Sequence, residues 1–296
     1  APTPGGVAVV GVLPMTLAVF RLVLASFAVS VASLVARWRG TRAQVVERQR
    51  LKWVLVGAGL TVALLVAAFA VGGTAATELP ASAASLPKGH DVSSHQKSVN
   101  WSSAKAKGAK FVYVKATEST NYVSPYFTRQ YDGARNAGII RGAYHFALPN
   151  KSSGRAQAAY FVNHGGGWKA DGWTLPPALD IEYNPYDRKH GCYGIRKASM
   201  VAWIRSFSDE VRRLTGRRPV IYTTAHWWNT CTGGSRAFAA DHALWIARHG
   251  STDAGALPSG WSYWTFWQYD NSGSLPGDQN LFNGSHARLR KFARGH

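Results

Sequence analysis

Two carboxylates in the segment 176–182 (PPALDIE) have a spacing suited to acid–base catalysis. Asp180 and Glu182 are separated by one residue in a stretch with strand character, so both side chains point to the same face. Their Cα atoms lie about 6.6 Å apart, because a strand rises roughly 3.3 Å per residue. Repulsion at that range raises one pKa, so that one group holds a proton at neutral pH. Cleavage of a glycosidic bond uses such a pair; pairing with arginine or calcium ligation is the alternative for the motif taken alone.

A further carboxylate, Asp91, lies in the segment GHDVSSHQ at 89–96. It ends the first predicted strand, and its side chain would lie at the same end of the predicted sheet as those of Asp180 and Glu182. An Asx turn or a helix N-cap is the alternative role for this aspartate. Polar side chains accompany the ends of most other predicted strands as well, which a random scatter would not produce. They are Ser93, Glu118, His145, Tyr222 and Gln268.

Aromatic and amide side chains near the C-terminus form another candidate group. Trp267, Gln268 and Tyr269 are consecutive, and the chain holds 12 Trp in total. Flat rings pack against sugar rings, and amides hydrogen bond to hydroxyls, so these residues suit a carbohydrate ligand. We assign Trp264 to the core. Asp278, in the sequence PGDQN, is a weak candidate by itself, because Gly-Asp is common in turns.

Short β-rich runs alternate with amphipathic helical patterns from residue 88 onward. The predicted strands cover 89–92, 111–116, 139–146, 178–181, 220–223, 244–247 and 263–269. The predicted helices cover 101–107, 125–137, 154–164, 196–214 and 235–240. This alternation predicts an α/β fold with a parallel sheet closed into a compact barrel, in which catalytic groups gather at the carboxyl ends of the strands.

The chain has two cysteines, Cys192 and Cys231. In an oxidising compartment they would form one disulfide between the loops that follow the fourth and fifth strands; two free buried thiols are the alternative. Neither cysteine lies in a recognisable catalytic setting. Zinc spacings and the H-E-x-x-H, Walker and G-x-S-x-G motifs are absent from the sequence, which therefore predicts neither a metal site nor a cofactor.

Residues 1–72 differ in character from the rest of the chain. The runs 7–36 and 53–72 are almost entirely apolar, and the second has the length and lack of charge needed to cross a bilayer. The loop between them is basic, which makes it cytoplasmic by the positive-inside rule. We predict a membrane anchor, with a cleaved signal peptide as the alternative; both place the remainder outside the cytoplasm. Residues 73–87 resemble a linker, and a catalytic barrel is expected at 88–296.

The formal net charge is +19, and residues 88–296 hold 27 Lys and Arg against 13 Asp and Glu. A basic surface binds polyanions, and outside a bacterial cell the wall supplies them as phosphate polymers and peptide carboxylates. We therefore expect salt-sensitive binding to anionic wall polymers; a generally basic, solvated surface is the alternative. Patterns typical of nucleic-acid binding are absent from the sequence, and a monomer is expected.

The motifs, taken in order, resemble glycoside hydrolase family 25, the lysozymes (N-acetylmuramidases) of actinobacteria, other bacteria and their phages. The resemblance covers 88–293. It is carried by GHDVSSHQ (89–96), FVYVKATE (111–118), GAYHF (142–146), LDIE (179–182), PVIYT (219–223), LWIA (244–247), FWQY (266–269) and GDQNLF (277–282). It implies a modified β/α barrel, with fewer helices than a regular one. The implied reaction is cleavage of the β-1,4 bond between N-acetylmuramic acid and N-acetylglucosamine in peptidoglycan.

The resemblance also implies roles for individual residues. Glu182 matches the general acid, and the other active-site carboxylates are matched by Asp91, Asp180 and Asp278. Residues that line the family's groove are matched by Tyr144, Tyr222 and Gln268, and we add Glu118, His145 and Trp267 to the substrate-binding set. The family's first motif often reads G-I-D, whereas His90 stands here; we expect it to be a core histidine with its hydrogen bonds satisfied.

Two other functions differ in what they predict. A catalytically silent module that anchors a membrane protein to peptidoglycan would bind the wall without releasing reducing ends. A zinc amidase acting on the peptide stems would be sensitive to chelators, and the sequence lacks its ligands.

Overall fold

The computed structural model describes residues 86–296. The predicted hydrophobic region 1–72 and nearly all of the predicted linker lie outside the described residues. Within residues 86–296, no helix combines the length and the apolar character that a bilayer span requires.

The described residues form nine strands and six α-helices. The strands are β1 (Lys88–Val92), β2 (Phe111–Glu118), β3 (Tyr122–Val123), β4 (Ile140–Phe146), β5 (Ala178–Asp180), β6 (Val220–Thr223), β7 (Leu244–Ala247), β8 (Phe266–Asp270) and β9 (Asp278–Phe282). The helices are α1 (Trp101–Ala106), α2 (Phe127–Asn136), α3 (Gly154–Asn163), α4 (Lys197–Thr215), α5 (Ala225–Thr232) and α6 (His286–Ala293).

Eight of these strands close into a barrel. Their order is β1-β9-β8-β7-β6-β5-β4-β2, and β1 pairs in parallel with β2 to complete the circle. β3 is a short antiparallel extension on the edge of β2. β9 runs antiparallel to both of its neighbours, β8 and β1, while the other barrel pairings are parallel. The predicted α/β barrel is confirmed, and one antiparallel strand is added to it.

Aromatic side chains fill the barrel interior near the amino ends of the parallel strands. Tyr113 stacks on Trp245 with ring centroids 4.7 Å apart, and Phe111 packs against Phe266 at 5.1 Å. Helix α6 covers this end, where Phe292 lies 5.7 Å from Phe266. Gly89 is needed beside Phe111, because a Cβ there would stand 2.5 Å from the ring. With this end filled, the polar side chains that face inward are confined to the opposite end.

The helices cover the outside of the barrel and bury a second apolar layer. Phe161 of α3 and Phe207 of α4 are fully buried, and their rings flank the His145 ring at 5.5 and 5.3 Å. Helix α4 ends at Gly216, whose φ of 75° lies in the left-handed region that glycine adopts without strain. Because side chains alternate along a strand, this layer takes every second residue of each barrel strand.

The predicted disulfide is present between Cys192 and Cys231. Cys192 lies in the loop that follows β5, as expected, but Cys231 lies within α5 and not in a loop. Trp227, also in α5, donates a hydrogen bond from Nε1 to the Gly191 carbonyl at 3.3 Å. The disulfide and this bond together hold the loop after β5 against α5.

The helix predicted at 235–240 is wrong. The chain forms turns there, and the helix lies earlier, at Ala225–Thr232. It begins because the Thr224 side chain accepts a hydrogen bond from the Trp227 backbone, which caps the first turn. It ends at Gly233, whose φ of 70° closes the helix.

The C-terminal part of the barrel also differs from the prediction. The last predicted strand begins at Phe266 and not at residue 263, and β9 and α6 were not predicted at all. Asp278 opens β9 and does not stand in a free turn. Its backbone is fixed by pairing with β1, which lies almost 190 residues earlier in the chain. A local sequence pattern does not predict such a distant pairing.

Candidate active site

Four carboxylates meet at the carboxyl end of the barrel. Asp91 of β1 and Asp278 of β9 are direct partners in the antiparallel register, so their side chains share a face and stand about 5 Å apart at Cβ. Asp180 ends β5, opposite Tyr222 of β6. Glu182 follows two residues beyond Asp180. The order of strands thus brings together residues that lie almost 190 positions apart in the chain.

A network of amide groups holds Asp91. Its Oδ2 accepts hydrogen bonds from Gln268 Nε2 at 2.8 Å and from Asn280 Nδ2 at 2.7 Å. Tyr222 donates its hydroxyl to Gln268 Oε1 at 2.8 Å, and Trp245 donates Nε1 to Asn280 Oδ1 at 2.7 Å. Each amide oxygen is therefore occupied by a donor, which turns each amide nitrogen towards Asp91. This carboxylate has a fixed orientation before any substrate arrives.

The pKa values of Asp91 and Asp278 are both raised. Burial raises the pKa of Asp91 to about 7, and the charge of Asp278 adds to the rise, against the two amide hydrogen bonds. Burial also raises the pKa of Asp278, while the charge of His249 opposes it. His249 Nε2 lies 2.7 Å from Gln268 Oε1, so it joins the same network. Desolvation and the like charge of Asp278, which raise the pKa of Asp91, thus outweigh the two hydrogen bonds that lower it.

Asp180 and Glu182 both have raised pKa values. Burial raises the pKa of Glu182 to about 7, and Asp278 adds to the rise while His249 and Lys115 oppose it. Burial raises the pKa of Asp180 well above its ordinary range, and the charge of Glu182 is the next cause. Desolvation is the largest cause in both cases, and the repulsion between the two groups that the spacing predicts contributes to the raised pKa of Asp180 but not to that of Glu182. A Glu182 carboxyl with this pKa is half protonated at neutral pH and can give or take a proton there.

One oxygen of Asp180 has no protein partner. Its Oδ1 is buried, and within the described residues nothing donates a hydrogen bond to it. An unpaired buried acceptor is unfavourable, and such atoms are rare unless a ligand or water satisfies them. Asp180 therefore offers an acceptor to a group that enters the barrel mouth.

A groove of about 750 Å³ opens beside Glu182. Glu118 lies in its wall, where it accepts hydrogen bonds from Lys115 Nζ at 2.6 Å and from the Tyr186 hydroxyl at 2.5 Å. The Lys115 ammonium also stands 4.7 Å from the centre of the Phe146 ring. The loop after β5 also lines the groove, and its Tyr186 is 70% exposed. An exposed tyrosine on the wall of a groove is a suitable platform for a sugar ring.

The turn into β9 can accept only glycine at position 277. Gly277 has a φ of 76°, and a Cβ there would stand 2.0 Å from the Asp91 carbonyl oxygen. Contact this close between the turn and β1 sets the position of Asp278 relative to Asp91.

Most of the predicted site residues face the barrel mouth, but two do not. Tyr144, Tyr222 and Gln268 line the barrel interior next to the carboxylates. Burial, together with the charges of these carboxylates, keeps the pKa of both tyrosines well above the ordinary range. His145 faces the helices instead: it is fully buried, with Nδ1 2.8 Å from Thr117 Oγ1 and Nε2 2.9 Å from Gln157 Oε1.

Trp267 also faces the helical layer. Its Nε1 donates to the Arg248 carbonyl at 3.0 Å, and its ring lies 6.0 Å from Trp264. Neither His145 nor Trp267 can contact a ligand in the groove in this arrangement, because their neighbours Tyr144 and Gln268 occupy the inward positions. His90 is a core residue, as expected, but only half satisfied: Nδ1 lies 2.6 Å from the Pro276 carbonyl oxygen, while its buried Nε2 has no partner among the described residues.

Sequence reasoning did not select four residues that belong to this site. His249 follows β7, so the rule that polar groups follow strands could have found it. Lys115 is the charged residue in an otherwise uncharged run of β2 before Glu118. Asn280 lies in an unpredicted strand, and Tyr186 lies in a loop whose course no local pattern determines. Among residues 86–296, no cluster of His, Cys, Asp and Glu is arranged to hold a metal ion.

Comparison with known proteins identifies the family. The model of the glycosyl hydrolases family 25 matches residues 90–278. The chain belongs to glycosyl hydrolase family 25. It is 52% identical over 211 residues to Lysozyme M1 of Streptomyces globisporus, covering 70% of this chain and 71% of that protein. It is 47% identical over 214 residues to an N,O-diacetylmuramidase of Chalaropsis sp, covering 70% and 99%.

Solved structures agree with this assignment. A muramidase from Acremonium alcalophilum is 51% identical, with a TM-score of 0.69 over 71% of this chain and 99% of that one. A bacterial lysozyme from Streptomyces coelicolor is 50% identical, with a TM-score of 0.69 over 72% and 99%. This family 25 glycosyl hydrolase is therefore an enzyme, a glycoside hydrolase. The solved chains consist almost entirely of the matched region, so a barrel of this kind folds without further segments.

Proposed function

We propose that this family 25 glycosyl hydrolase is a muramidase that cleaves the β-1,4 bond between N-acetylmuramic acid and N-acetylglucosamine in peptidoglycan. Glu182 is the general acid and base. The observation that carries the proposal is a half-buried Glu182 that lines a groove of about 750 Å³ and has a pKa raised to about 7. The names of the relatives, Lysozyme M1 and N,O-diacetylmuramidase, support the same activity.

The proposed first step is proton transfer from Glu182 to the bridging oxygen. The bond to the departing sugar breaks as positive charge develops at the anomeric carbon, and the ionised forms of Asp91, Asp180 and Asp278, whose pKa values that positive charge lowers, stabilise it. The 2-acetamido carbonyl of the substrate attacks the anomeric carbon, while Asp180 Oδ1, which lacks a protein partner, accepts the acetamido N–H. Glu182, now ionised, then removes a proton from the water that opens the resulting ring.

The competing route is direct attack by water with inversion, with Asp91 or Asp180 as the base. Proton NMR of the first product separates the two routes, because substrate assistance gives the β-anomer and inversion gives the α-anomer. An α-anomer would contradict the role of Asp180 given above.

The decisive experiment measures reducing-end release from purified peptidoglycan, with mass spectrometry of the fragments. Glu182→Gln removes the proton that is transferred while keeping the shape of the side chain, so activity falls by roughly two to four orders of magnitude. Glu210→Gln is the matched control, because Glu210 lies on α4 and pairs with Arg213 outside the groove. Full activity in Glu182→Gln, or wall binding without release by the unmodified protein, would contradict the proposal.

The site of action is proposed to be the cell-wall side of the membrane. The disulfide Cys192–Cys231 supports an oxidising compartment. The apolar runs in 1–72, ahead of a linker at 73–87 and the barrel at 88–296, support secretion or anchoring to the membrane by this region. The enzyme is proposed to work as a monomer, since the barrel closes on itself and brings the four carboxylates together without a second copy.

A further inference from the structure

The barrel end opposite the groove carries a cluster of basic side chains, here called the basic face: Lys105, Lys110, Arg135, His286 and Arg290. Lys110 immediately precedes β2, and His286 begins α6, the helix that closes this end. Burial and the charges of Lys110, Arg290 and Lys105 lower the pKa of His286. The cations Lys105, Lys110 and Arg290 therefore lie within electrostatic range of His286, which burial and their charges keep neutral at neutral pH.

Stacking on an aromatic ring holds two of these cations in place. The guanidinium of Arg135 lies 4.3 Å from the centre of the Trp173 ring, and that of Arg290 lies 4.2 Å from the same centre. Stacking occupies the face of a guanidinium but leaves its N–H groups at the edge free to donate. The pair therefore presents fixed donors to a ligand.

The basic face is not neutralised by nearby acids. Within residues 86–296, none of its five members has a carboxylate oxygen within 4.0 Å of its charged nitrogens. Asp171 precedes Trp173, but the cation within 4.0 Å of its carboxylate is Arg141, which does not belong to the basic face. Several positive charges therefore lie together without a carboxylate beside them. An external polyanion would supply the missing negative charge.

The chain enters the barrel at this same end. The carbonyl of Lys88, the first residue of β1, accepts a hydrogen bond from the Lys110 backbone at 2.8 Å. The sequence ahead of it contains the uncharged apolar run 53–72 and then 73–87. Fifteen residues reach about 50 Å when fully extended. If 53–72 crosses a bilayer, a connection of this length keeps the barrel within reach of that bilayer.

We propose that the basic face docks on an anionic phospholipid surface and turns the catalytic groove away from the bilayer. The balance of charge favours this orientation. The groove end holds the four clustered carboxylates together with exposed cations such as Lys151 and Lys197, whereas no carboxylate oxygen of the described residues lies within 4.0 Å of the charged nitrogens of the basic face. A negative surface potential attracts basic side chains within about one Debye length.

Vesicle sedimentation of residues 86–296 tests the proposal, since the solved relatives show that a barrel of this kind folds alone. The probes are vesicles of phosphatidylglycerol and phosphatidylcholine in equal parts, and vesicles of phosphatidylcholine only. We expect binding to the first and not to the second, lost at about 0.5 M salt. Each basic side chain at an anionic leaflet contributes roughly a five-fold gain in affinity, so the triple variant Lys105→Gln, Lys110→Gln, Arg290→Gln binds about 100-fold more weakly.

A control variant removes the same charge from the other end of the barrel. Lys151→Gln, Arg196→Gln, Lys197→Gln alters exposed residues in segments that follow β4 and β5, and it should bind vesicles as the unmodified domain does. The thermal unfolding midpoint of each variant verifies folding. Equal loss in both triple variants would show non-specific charge attraction and overturn the proposal. Binding to a purified glycerol-phosphate polymer but not to vesicles would also overturn it, and would assign the basic face to the wall instead.

Discussion

Replacing Glu182 by glutamine should reduce activity and yet stabilise the fold at neutral and higher pH. Burial raises the pKa of this carboxyl from 4.5 to about 7 in the folded state. A group with a raised folded pKa contributes stability that is fully present below its unfolded pKa and is lost as the pH rises through its folded pKa. For Glu182 the free energy of unfolding falls between about pH 4.5 and pH 7. Glutamine does not titrate, so the variant does not lose this stability.

The size of this effect follows from the shift in pKa. A rise of about 2.5 units, at 1.36 kcal/mol per unit, corresponds to roughly 3 kcal/mol of unfolding free energy. Water in the groove screens part of the charge, so we expect a change of roughly 1 to 3 kcal/mol. The change is measured as a double difference, variant minus unmodified protein, at pH 8 minus pH 4. The double difference removes any pH-independent effect of the amide.

Urea unfolding of residues 86–296 at the two pH values gives the four free energies. Glu210→Gln serves as a control of opposite sign, because the hydrogen bond and charge of Arg213 lower the pKa of Glu210. That carboxylate contributes stability above its unfolded pKa, so its variant becomes relatively less stable as the pH rises. A double difference of zero or of negative sign for Glu182→Gln would refute the claim that Glu182 is held at a raised pKa by its surroundings.

Three further predictions concern the same structure. Because the proton on Glu182 is lost as the pH rises through about 7, activity should decline there. The charge of Asp278 raises this pKa and that of Lys115 lowers it, so Asp278→Asn should move the midpoint of the decline to lower pH and Lys115→Met should move it to higher pH. Equal midpoints in the pH–rate profiles of the variants would contradict this. Cys192→Ala with Cys231→Ala should lower the unfolding free energy by about 4 kcal/mol, the chain-entropy value for a separation of 39 residues, as measured by urea unfolding against the oxidised protein. Gly277→Ala should destabilise the fold by roughly 2 kcal/mol or more because of its φ of 76° and the nearby Asp91 carbonyl, whereas Gly167→Ala, where a Cβ meets nothing within 4 Å, should change the unfolding midpoint little.

The carboxylate cluster was predictable because it depends on rules that act locally. A period of two places Asp180 and Glu182 on one face, and the carboxyl ends of parallel strands meet at one end of a barrel. The same rule of alternation explains the two misplaced residues. Tyr144 and His145 are neighbours in β4, as are Trp267 and Gln268 in β8, so only one of each pair can face the groove. Which member faces inward depends on register, and register is set across the barrel.

The parts that could not be predicted depend on distant pairing. Strand β9 reads DQNLF, a composition poor in strand-forming residues, and it exists because β1 and β8 pair with it on either side. Helix α5 contains adjacent tryptophans and threonines, which have modest helix propensity, so its stability depends on the cap at Thr224 and on packing. The groove-side loop is similar, because its course is fixed by the disulfide at Cys192.

The amide network explains how so many carboxylates coexist without losing their function. A lysine or arginine beside Asp91 would satisfy its oxygens more strongly, but its charge would also lower the pKa of Glu182 and remove the proton at neutral pH. Gln268 and Asn280 donate hydrogen bonds without adding charge. The nearby cationic groups act less directly, since Lys115 is paired with Glu118 and His249 contacts the network through Gln268. Neutral donors at the centre therefore fix Asp91 in place and leave the pKa of Glu182 raised by burial and by the charge of Asp278.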